Sequence, residues 1–520
     1  MRHLSLTLIF LACQCLCAQA QDSSKLEAEQ AQYSSCKLIQ DSKYSGGKAL
    51  ELTDEKAKIT FTYNCNERGK YTIYVGYDAL YGEKVVNLSV NGSPSTFKVN
   101  GHAESSVGTF FMNAGTNTIV MTPNWTWFRI DYIRLESSTS TLEFNISPTP
   151  VDPEATASAK EMYSFLYENF GQKTISGMMT GDMGSANGDV RRHADMQAVY
   201  KVAGKYPALV GFDMMNATGL YENEYYDKSY TRSSVDLAKD TYRRGGFPAF
   251  TWHWRDPSRK TNEFYTDKTS MRISSALNAD GTWNTSSTLY RNIIKDIDKV
   301  ADYFLELQNA GMSCIFRPLH EASGGWFWWG SEGAGPFIKL YQLVFDEMVN
   351  VKGVHNVIWV WNAGETDKDW NPGEQYYDVV SADIYNADFD YSSNYVSFDN
   401  LKVLTAGKKI IALSENGPIP DIDKEFDEEA VWAWWMPWYQ TWNGNFVNKT
   451  SAAEWKKCMS DSRVVTLDDR LGGWDTYTDI SSTIAEEIED DAIYDLQGRR
   501  LATPPTKGFY IRNRKVVVAK

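Results

Sequence analysis

Between residues 25 and 136 the chain runs through short stretches in which apolar and polar residues alternate. They are Lys58–Tyr63, Tyr71–Tyr77, Val85–Val90, Thr118–Thr122 and Phe128–Leu135, with turn signals such as Gly46-Gly47 and Asn91-Gly92 between them. Period-two alternation at this spacing, without a helical segment, predicts an antiparallel β-sandwich over residues 21–136. Residues 137–153, rich in Ser and Thr and then in Pro, read as a linker. From Ala155 the pattern changes, and apolar runs now alternate with amphipathic stretches. The runs Lys173–Met178, Ala208–Asp213, Phe247–Trp252, Cys314–Arg317, Val357–Trp361, Val379–Asp383, Lys409–Ser414 and Val431–Trp435 predict eight strands. Helices are expected between most of them, Leu289–Gln308 and Phe337–Val349 being the clearest. The α/β class follows, with residues 154–482 forming a (β/α)8 TIM barrel. A doubly wound sheet is the alternative, but it expects a phosphate-cradling turn after its first strand, and Ser176-Gly-Met-Met-Thr-Gly181 matches one poorly.

The ends carry their own signals. Arg2 and His3, the apolar run Leu4–Ala12 and the small residues Ala18 and Ala20 make residues 1–20 a secretory signal peptide, too short for a stable membrane span. A secreted or cell-surface protein is expected. Lipid anchoring at Cys13 is the weaker route, because Phe10 fits poorly three positions before it. Outside the leader stand Cys36, Cys65, Cys314 and Cys458, in no zinc-like spacing. Cys36 and Cys65 share the N-terminal region, where a disulfide is open to them; Cys314, in an apolar strand, reads as a buried thiol. Residues 483–520 form a C-terminal tail, acidic over Ile484–Asp491 and basic beyond.

Composition narrows the ligand. The 520 residues carry a net charge of −15, which argues against nucleic acid or an anionic membrane as partner. Aromatics reach 14%, with 18 Trp, and indole faces suit neutral hydroxylated ligands such as sugars.

In a parallel barrel the active site lies at the C-terminal ends of the strands. Those ends hold His253, Glu321, Asn362, Asp383 with Tyr385, Glu415 and Trp438. Glu321 and Glu415 each follow an apolar strand, where a carboxylate is costly unless it is paired or working. Two such glutamates suit glycoside hydrolysis, one protonating the leaving oxygen and the other attacking the anomeric carbon. The structural alternative pairs Glu321 with Arg317 and Glu415 with a lysine. A zinc-protease reading of His320 fails because Gly324 stands where the second histidine belongs, and no Gly-x-Ser-x-Gly elbow ends a strand.

The segment Arg317-Pro-Leu-His-Glu-Ala-Ser-Gly-Gly-Trp-Phe-Trp-Trp-Gly330 resembles the acid/base motif of glycoside hydrolase family 26, whose best-known members are β-mannanases. Ser381-Ala-Asp-Ile-Tyr385 and Leu413-Ser-Glu-Asn-Gly417 resemble that family's sixth- and seventh-strand motifs, in order. The resemblance spans about residues 155–480. It implies a retaining double displacement without a cofactor, Glu321 as acid/base and Glu415 as nucleophile. It further implies that Tyr385 hydrogen-bonds the nucleophile, that His253, His320 and Trp326 contact sugar, and that Asp383 belongs to the sixth-strand motif at the substrate site. The eighth-strand tryptophan is assigned to Trp438, with Trp435 second and Trp432 and Trp434 left to packing. The expected activity is endo-β-1,4-mannanase, a monomer cutting mannan, glucomannan or galactomannan into manno-oligosaccharides. β-1,3-Xylan, mixed-linkage β-glucan and exo-acting release of mannobiose stay open within the family, and a non-catalytic polysaccharide-binding protein outside it.

The N-terminal segments Leu26-Glu-Ala-Glu-Gln30 and Arg129–Leu135 resemble the first and last strands of carbohydrate-binding modules of family 35 or family 6. That resemblance implies a structural calcium held by Glu27, Glu29 and Asp131. Trp125, in the loop Asn124-Trp-Thr-Trp127, is either a sugar platform or a core residue. The basic tail resembles C-terminal segments, sorting signals among them, of secreted Bacteroidetes proteins.

Overall fold

The computed structural model describes residues 25–138, 142–181, 183, 186–364, 367–439, 445–470, 473–474, 493–494, 500–501, 508–512 and 515–519. The leader 1–20, Trp442 and most of the tail 483–520 lie outside the described residues. Within that tail, Ile493–Tyr494, Arg500–Leu501, Gly508–Arg512 and Lys515–Ala519 pair into a small sheet.

Residues 25–137 form nine strands hydrogen-bonded into one curled antiparallel sheet. Tyr71–Tyr77 and Val85–Val90, read from the sequence as two strands, are the two halves of a single strand, Gly69–Val90. Its first half pairs with Phe128–Ser137 and its second with Gly115–Pro123, so this one strand joins the two layers. The strand that follows it through Asn91-Gly92, Ser93–Met112, escaped the alternation because residues 100–104 are exposed on both faces. Alternate residues Ile73, Val75 and Tyr77, then Val86, Leu88 and Val90, fill the core between the layers.

The Cys36–Cys65 disulfide does not form. Cys36 contacts the Lys58 carbonyl at the start of the strand Lys58–Cys65, and Cys65 ends that strand, roughly 23 Å away at 3.3 Å per residue. A disulfide needs Cα atoms within about 7 Å. Both thiols are free, and Cys314 is a buried thiol as expected.

Eight parallel strands close the barrel: Thr174–Met179, Leu209–Asp213, Phe247–Trp252, Cys314–Pro318, Val357–Asn362, Val379–Ile384, Ile410–Asn416 and Trp434–Pro437. The first strand pairs with both the second and the eighth, completing the ring. These strands are apolar on both faces because one faces the barrel interior and the other the helices. The helix Thr288–Asn309 shows the matching stripe, burying Ile293, Ile297, Val300, Phe304 and Leu307. The eighth strand starts three residues later than its apolar run, at Trp434 rather than Val431. Among the described residues no helix is long and apolar enough to cross a membrane.

The linker is pinned to the barrel. The Phe144 ring lies 5.0 Å from that of Phe170, Asn145 N–H donates to the Gly407 carbonyl (2.8 Å), and Val151 N–H donates to Asp378 Oδ1 (2.7 Å). The sheet module also touches the barrel directly. Arg68 Nη2 donates to the Asp427 carbonyl (2.7 Å), and the Tyr395 hydroxyl accepts from Phe111 N–H (3.2 Å).

Candidate active site

The fourth strand delivers two groups to the barrel mouth. Arg317 is its penultimate residue and points inward, buried. The chain then turns sharply, with Leu319 and Glu321 both at φ 53°, in the left-handed region. Such a conformation costs a non-glycine residue about 1–3 kcal/mol and persists only where the surroundings impose it. Here Glu321 N–H donates to Asn362 Oδ1 (2.7 Å), at the end of the fifth strand. Trp326 returns against the same turn so closely that a Cβ at Gly324 would overlap its ring. Its indole stays half exposed, with Nε1 donating to Glu321 Oε2 (2.9 Å).

The sixth and seventh strands supply the opposing acids. A register shift between Ala382 and Asp383 sets Asp383 directly beside Glu415. Arg317 spans the two, through Nη1 to Asp383 Oδ2 (2.7 Å) and through Nη2 to Glu415 Oε1. Tyr385 donates its hydroxyl to the other oxygen of Glu415 (2.5 Å), and Asn362 Nδ2 donates to Asp383 Oδ1 (2.9 Å). One carboxylate oxygen from each of Glu321, Asp383 and Glu415 lies within 4.8 Å of the others. Among the described residues this trio is the one acid cluster tight enough to grip a metal ion, but Arg317 already brings a cation into it.

Three carboxyls and one guanidinium cannot all stay ionised cheaply in a buried site. Burial pulls the Arg317 guanidinium down, but Asp383 and Glu415 outweigh it and hold Arg317 charged. Burial, then the charge on Glu415, raises Glu321 above the ordinary carboxylate range. Asp383 is pushed upward too, by burial first. The proton nevertheless belongs on Glu321. Both oxygens of Asp383 and both of Glu415 accept from Arg317, Asn362 or Tyr385, whereas Glu321 accepts from the Trp326 indole at Oε2. Donors aimed at a carboxylate favour its charged form. Burial and the same acids raise the Tyr385 hydroxyl, which keeps it a donor.

Beside this cluster runs a histidine relay. Asp213, ending the second strand, accepts from His253 N–H (3.1 Å) and from His253 Nδ1 (2.6 Å). His253 Nε2 meets His320 Nε2 at 3.2 Å, and His320 Nδ1 meets Thr251 Oγ1 at 3.1 Å. Burial alone would lower His253, but Asp213 outweighs it and raises the imidazole. Burial and the Arg317 charge drive His320 well below its usual value. One proton pattern satisfies every contact: His253 carries both protons, and neutral His320 accepts at Nε2 and donates from Nδ1.

The aromatics divide by side. Trp326 is open to the cleft, whereas Trp328 and Trp329 are buried and donate to the carbonyls of Trp254 (2.6 Å) and His320 (2.8 Å). Trp438 is half-buried, its ring 6.0 Å from that of His253. Trp435 packs on Trp455 (5.8 Å) and Trp432 donates to the Ser393 carbonyl (2.7 Å), both in the core, as is Trp434. The barrel thus gathers His253, His320, Glu321, Trp326, Asp383, Tyr385, Glu415 and Trp438 at one mouth. The ion pairs expected of a purely structural role do not form, since Arg317 serves Asp383 and Glu415 rather than Glu321, and among the described residues no lysine is bonded to Glu415. Asn362 was read at a strand end without a role, and Arg317, Asp213 and Thr251 were not picked out as site residues. Asp213 carried the same signal as Asn362, each being the last residue of a strand.

In the N-terminal module Glu27, Glu29 and Asp131 also converge. Ser45 donates its hydroxyl to Glu27 Oε1 (2.7 Å) and its N–H to Asp131 Oδ2 (3.1 Å). Glu27 Oε2, Glu29 Oε2 and Asp131 Oδ1 are buried without a hydrogen-bond partner among the described residues. Burial, with Glu27 and Glu29 nearby, pushes Asp131 up to about 6. Trp125 is not a core residue: it is 56% exposed, and Trp127 and Tyr81 are exposed with it.

Residues 151–469 match glycosyl hydrolase family 26, and residues 24–138 match the carbohydrate binding module (family 35). A mannan endo-1,4-β-mannosidase of Thermothelomyces thermophilus is 33% identical over 453 residues, covering 83% of this chain and 86% of its own. Mannan endo-1,4-β-mannosidase B of a Piromyces species is 32% identical over 423 residues, 79% of this chain and 70% of its own. Among solved structures, the GH26-CBM35 β-(1,4)-mannanase of Podospora anserina superimposes with a TM-score of 0.56 at 30% identity, over 86% of this chain and 98% of that one. A family model covering more than half of the chain, a curated relative matched over most of its length and a two-domain structural match agree, and the chain belongs to glycosyl hydrolase family 26.

Proposed function

We infer that the protein is an endo-β-1,4-mannanase that cleaves with retention. The observation that carries this reading is the cluster at the barrel mouth, an ionised Glu415 held by Arg317 and Tyr385 facing a protonated Glu321. Carboxylate oxygens within 4.8 Å of one another favour retention, because inversion needs carboxyls about 6.5–9.5 Å apart to admit a water. In the first step Glu415 attacks the anomeric carbon as Glu321 gives its proton to the glycosidic oxygen, and the leaving chain departs with that proton. In the second, Glu321 takes a proton from water, the resulting oxygen displaces Glu415, and both acids return to their starting states. Arg317 and Tyr385 hold the charge and orientation of Glu415 through both steps. The His253–His320 relay and Trp326 line the cleft as sugar contacts, as does Trp438. The mannan preference rests on the relatives, which are named as mannan endo-1,4-β-mannosidases.

The module acts as a carbohydrate binder, with Trp125, joined by Trp127 and Tyr81, as its aromatic platform. Its three orphaned carboxylate oxygens fit a hard cation that prefers oxygen ligands, and calcium is assigned there as a structural ion. These acids are not among the groups already within 4.8 Å of one another, so they must draw together around the ion. The chain is exported through its leader and works outside the cell as a monomer.

Purified enzyme incubated with galactomannan and with mannohexaose tests the reading. Internal cleavage to manno-oligosaccharides is expected. Release of mannobiose alone from chain ends would make it exo-acting, and cleavage of lichenan or β-1,3-xylan with none of mannan would overturn the substrate.

A further inference from the structure

We propose that the N-terminal module forms a second wall of the substrate cleft: the sheet face carrying Asn87, Thr96 and Thr122 binds the same glycan chain that the barrel cuts, on the Tyr385 side of the cleavage point. The proposal rests on the mannanase reading and deepens it. A groove of about 520 Å³ runs between the two domains, with this sheet face on one side and Tyr385, Asn386 and Asn394 on the other. Asp383 and Tyr385, both in the catalytic cluster, are among the residues that line the groove, so it lies directly beside the reacting centre.

The alternation along Gly69–Val90 dictates what this face displays. Val86, Leu88 and Val90 point into the module's core, which leaves Asn87 and Ser89 on the outer face. Thr96 and Thr122 stand opposite Asn87 on the two neighbouring strands, and Pro94 and Val120 stand opposite Ser89. The result is a row of amide and hydroxyl groups across three strands, beside a flatter row containing Pro and Val. No charged side chain of the module lines the groove. Such a surface offers nothing to an ionic ligand, whereas a neutral sugar presents hydroxyls to the first row and C–H faces to the second. Binding here also needs a module that stays in place, since a tethered one loses ordering entropy at each encounter. The linker contacts of Phe144, Asn145 and Val151, with the Arg68–Asp427 and Phe111–Tyr395 contacts, hold it against the barrel.

The test compares long and short substrates in a variant that fills the groove. Thr96 is exposed and accepts a larger side chain on the groove side. In Thr96→Trp, KM for mannohexaose should rise about ten-fold, equivalent to about 1.4 kcal/mol, while turnover of an aryl β-mannobioside stays at the wild-type level. Unchanged kinetics on both substrates, or equal losses on both, at an unchanged melting temperature overturns the proposal. Should Thr96→Trp lower the melting temperature, Asn87→Ala decides, with a smaller rise in KM confined to the hexasaccharide; no rise sinks the idea. A wild-type enzyme inactive on both substrates defeats the mannanase reading itself, a result seen before any variant is made, and the groove proposal falls with it.

Discussion

The protein gathers three carboxyls twice, and the two clusters are built for opposite ends. At the barrel mouth, Glu321, Asp383 and Glu415 surround Arg317, and Tyr385 and Asn362 complete the donor set. In the module, Glu27, Glu29 and Asp131 share one serine and leave three buried oxygens without partners. The first cluster carries its own cation and so can move a proton between defined states. In the second, Lys48 and His102 stand near the acids but neither is bonded to them, and its buried oxygens are costly as they stand. Three acids in a pocket are therefore no function in themselves. What decides is whether the protein or the solvent provides the positive charge.

The sharpest way to break this contrast is at Glu415. Glu415→Ala should lower kcat on galactomannan on the order of 10⁴-fold, as loss of a nucleophile does, with the melting temperature kept near wild type by the remaining Arg317–Asp383 pair. Retained turnover would remove Glu415 from the reaction. Glu321→Gln comes next, with a loss of about 10²–10⁴ on mannan, the range typical of general acid–base groups. An aryl mannoside with a good leaving group should be far less affected in its first step, because it needs little protonation. The pH profile carries the same information. Glu321 must be protonated, and its pKa is raised, so kcat/KM should hold at pH values below that pKa and fall as pH rises through it. If Glu321→Gln keeps the same alkaline limb, another group controls it.

The module cluster predicts a milder, thermal effect. Asp131 is raised to about 6 from an unfolded value near 3.8, so the stability it contributes is complete below about pH 4 and is lost as pH climbs through 6. Without metal the module should melt at a lower temperature at pH 7 than at pH 5. Calcium should recover several degrees at pH 7 and little at pH 4, as read by calorimetry with and without chelator. A melting temperature indifferent to both pH and calcium would show that the cluster needs no ion. The smallest change is expected from Trp125→Ala, which should weaken retention on insoluble mannan in a pull-down while leaving rates on soluble oligosaccharides unaltered.

Much of the barrel was legible because its code is local. Each apolar run is a strand, each catalytic candidate follows one, and the indole-rich text after Glu321 carried the family resemblance. Asn362 was named by the rule of reading strand ends, and Asp213 was within reach of the same rule. The module was harder. Gly69–Val90 contributes to two layers at once, and the polar stretch of Ser93–Met112 hides its alternation, so two strands were expected in place of one, and Ser93–Met112 was missed together with the short strands Gln32–Ser34, Lys37–Gln40 and Lys48–Leu52.

Sequence was enough to establish the fold class and to single out the two glutamates as strand-end acids, because residue spacing encodes periodicity and strand ends directly, while the module's acids came from the family resemblance alone. It did not reach what depends on neighbours remote in the chain. Only the folded molecule decided that Arg317 serves Asp383 and Glu415, since a one-residue register shift brings those two acids side by side. It also kept Cys36 and Cys65 at opposite ends of one strand, buried Trp432, Trp434 and Trp435, and left Trp326 and Trp125 in solvent. Those outcomes are matters of burial and charge compensation, and both are set by three-dimensional packing rather than by the order of residues.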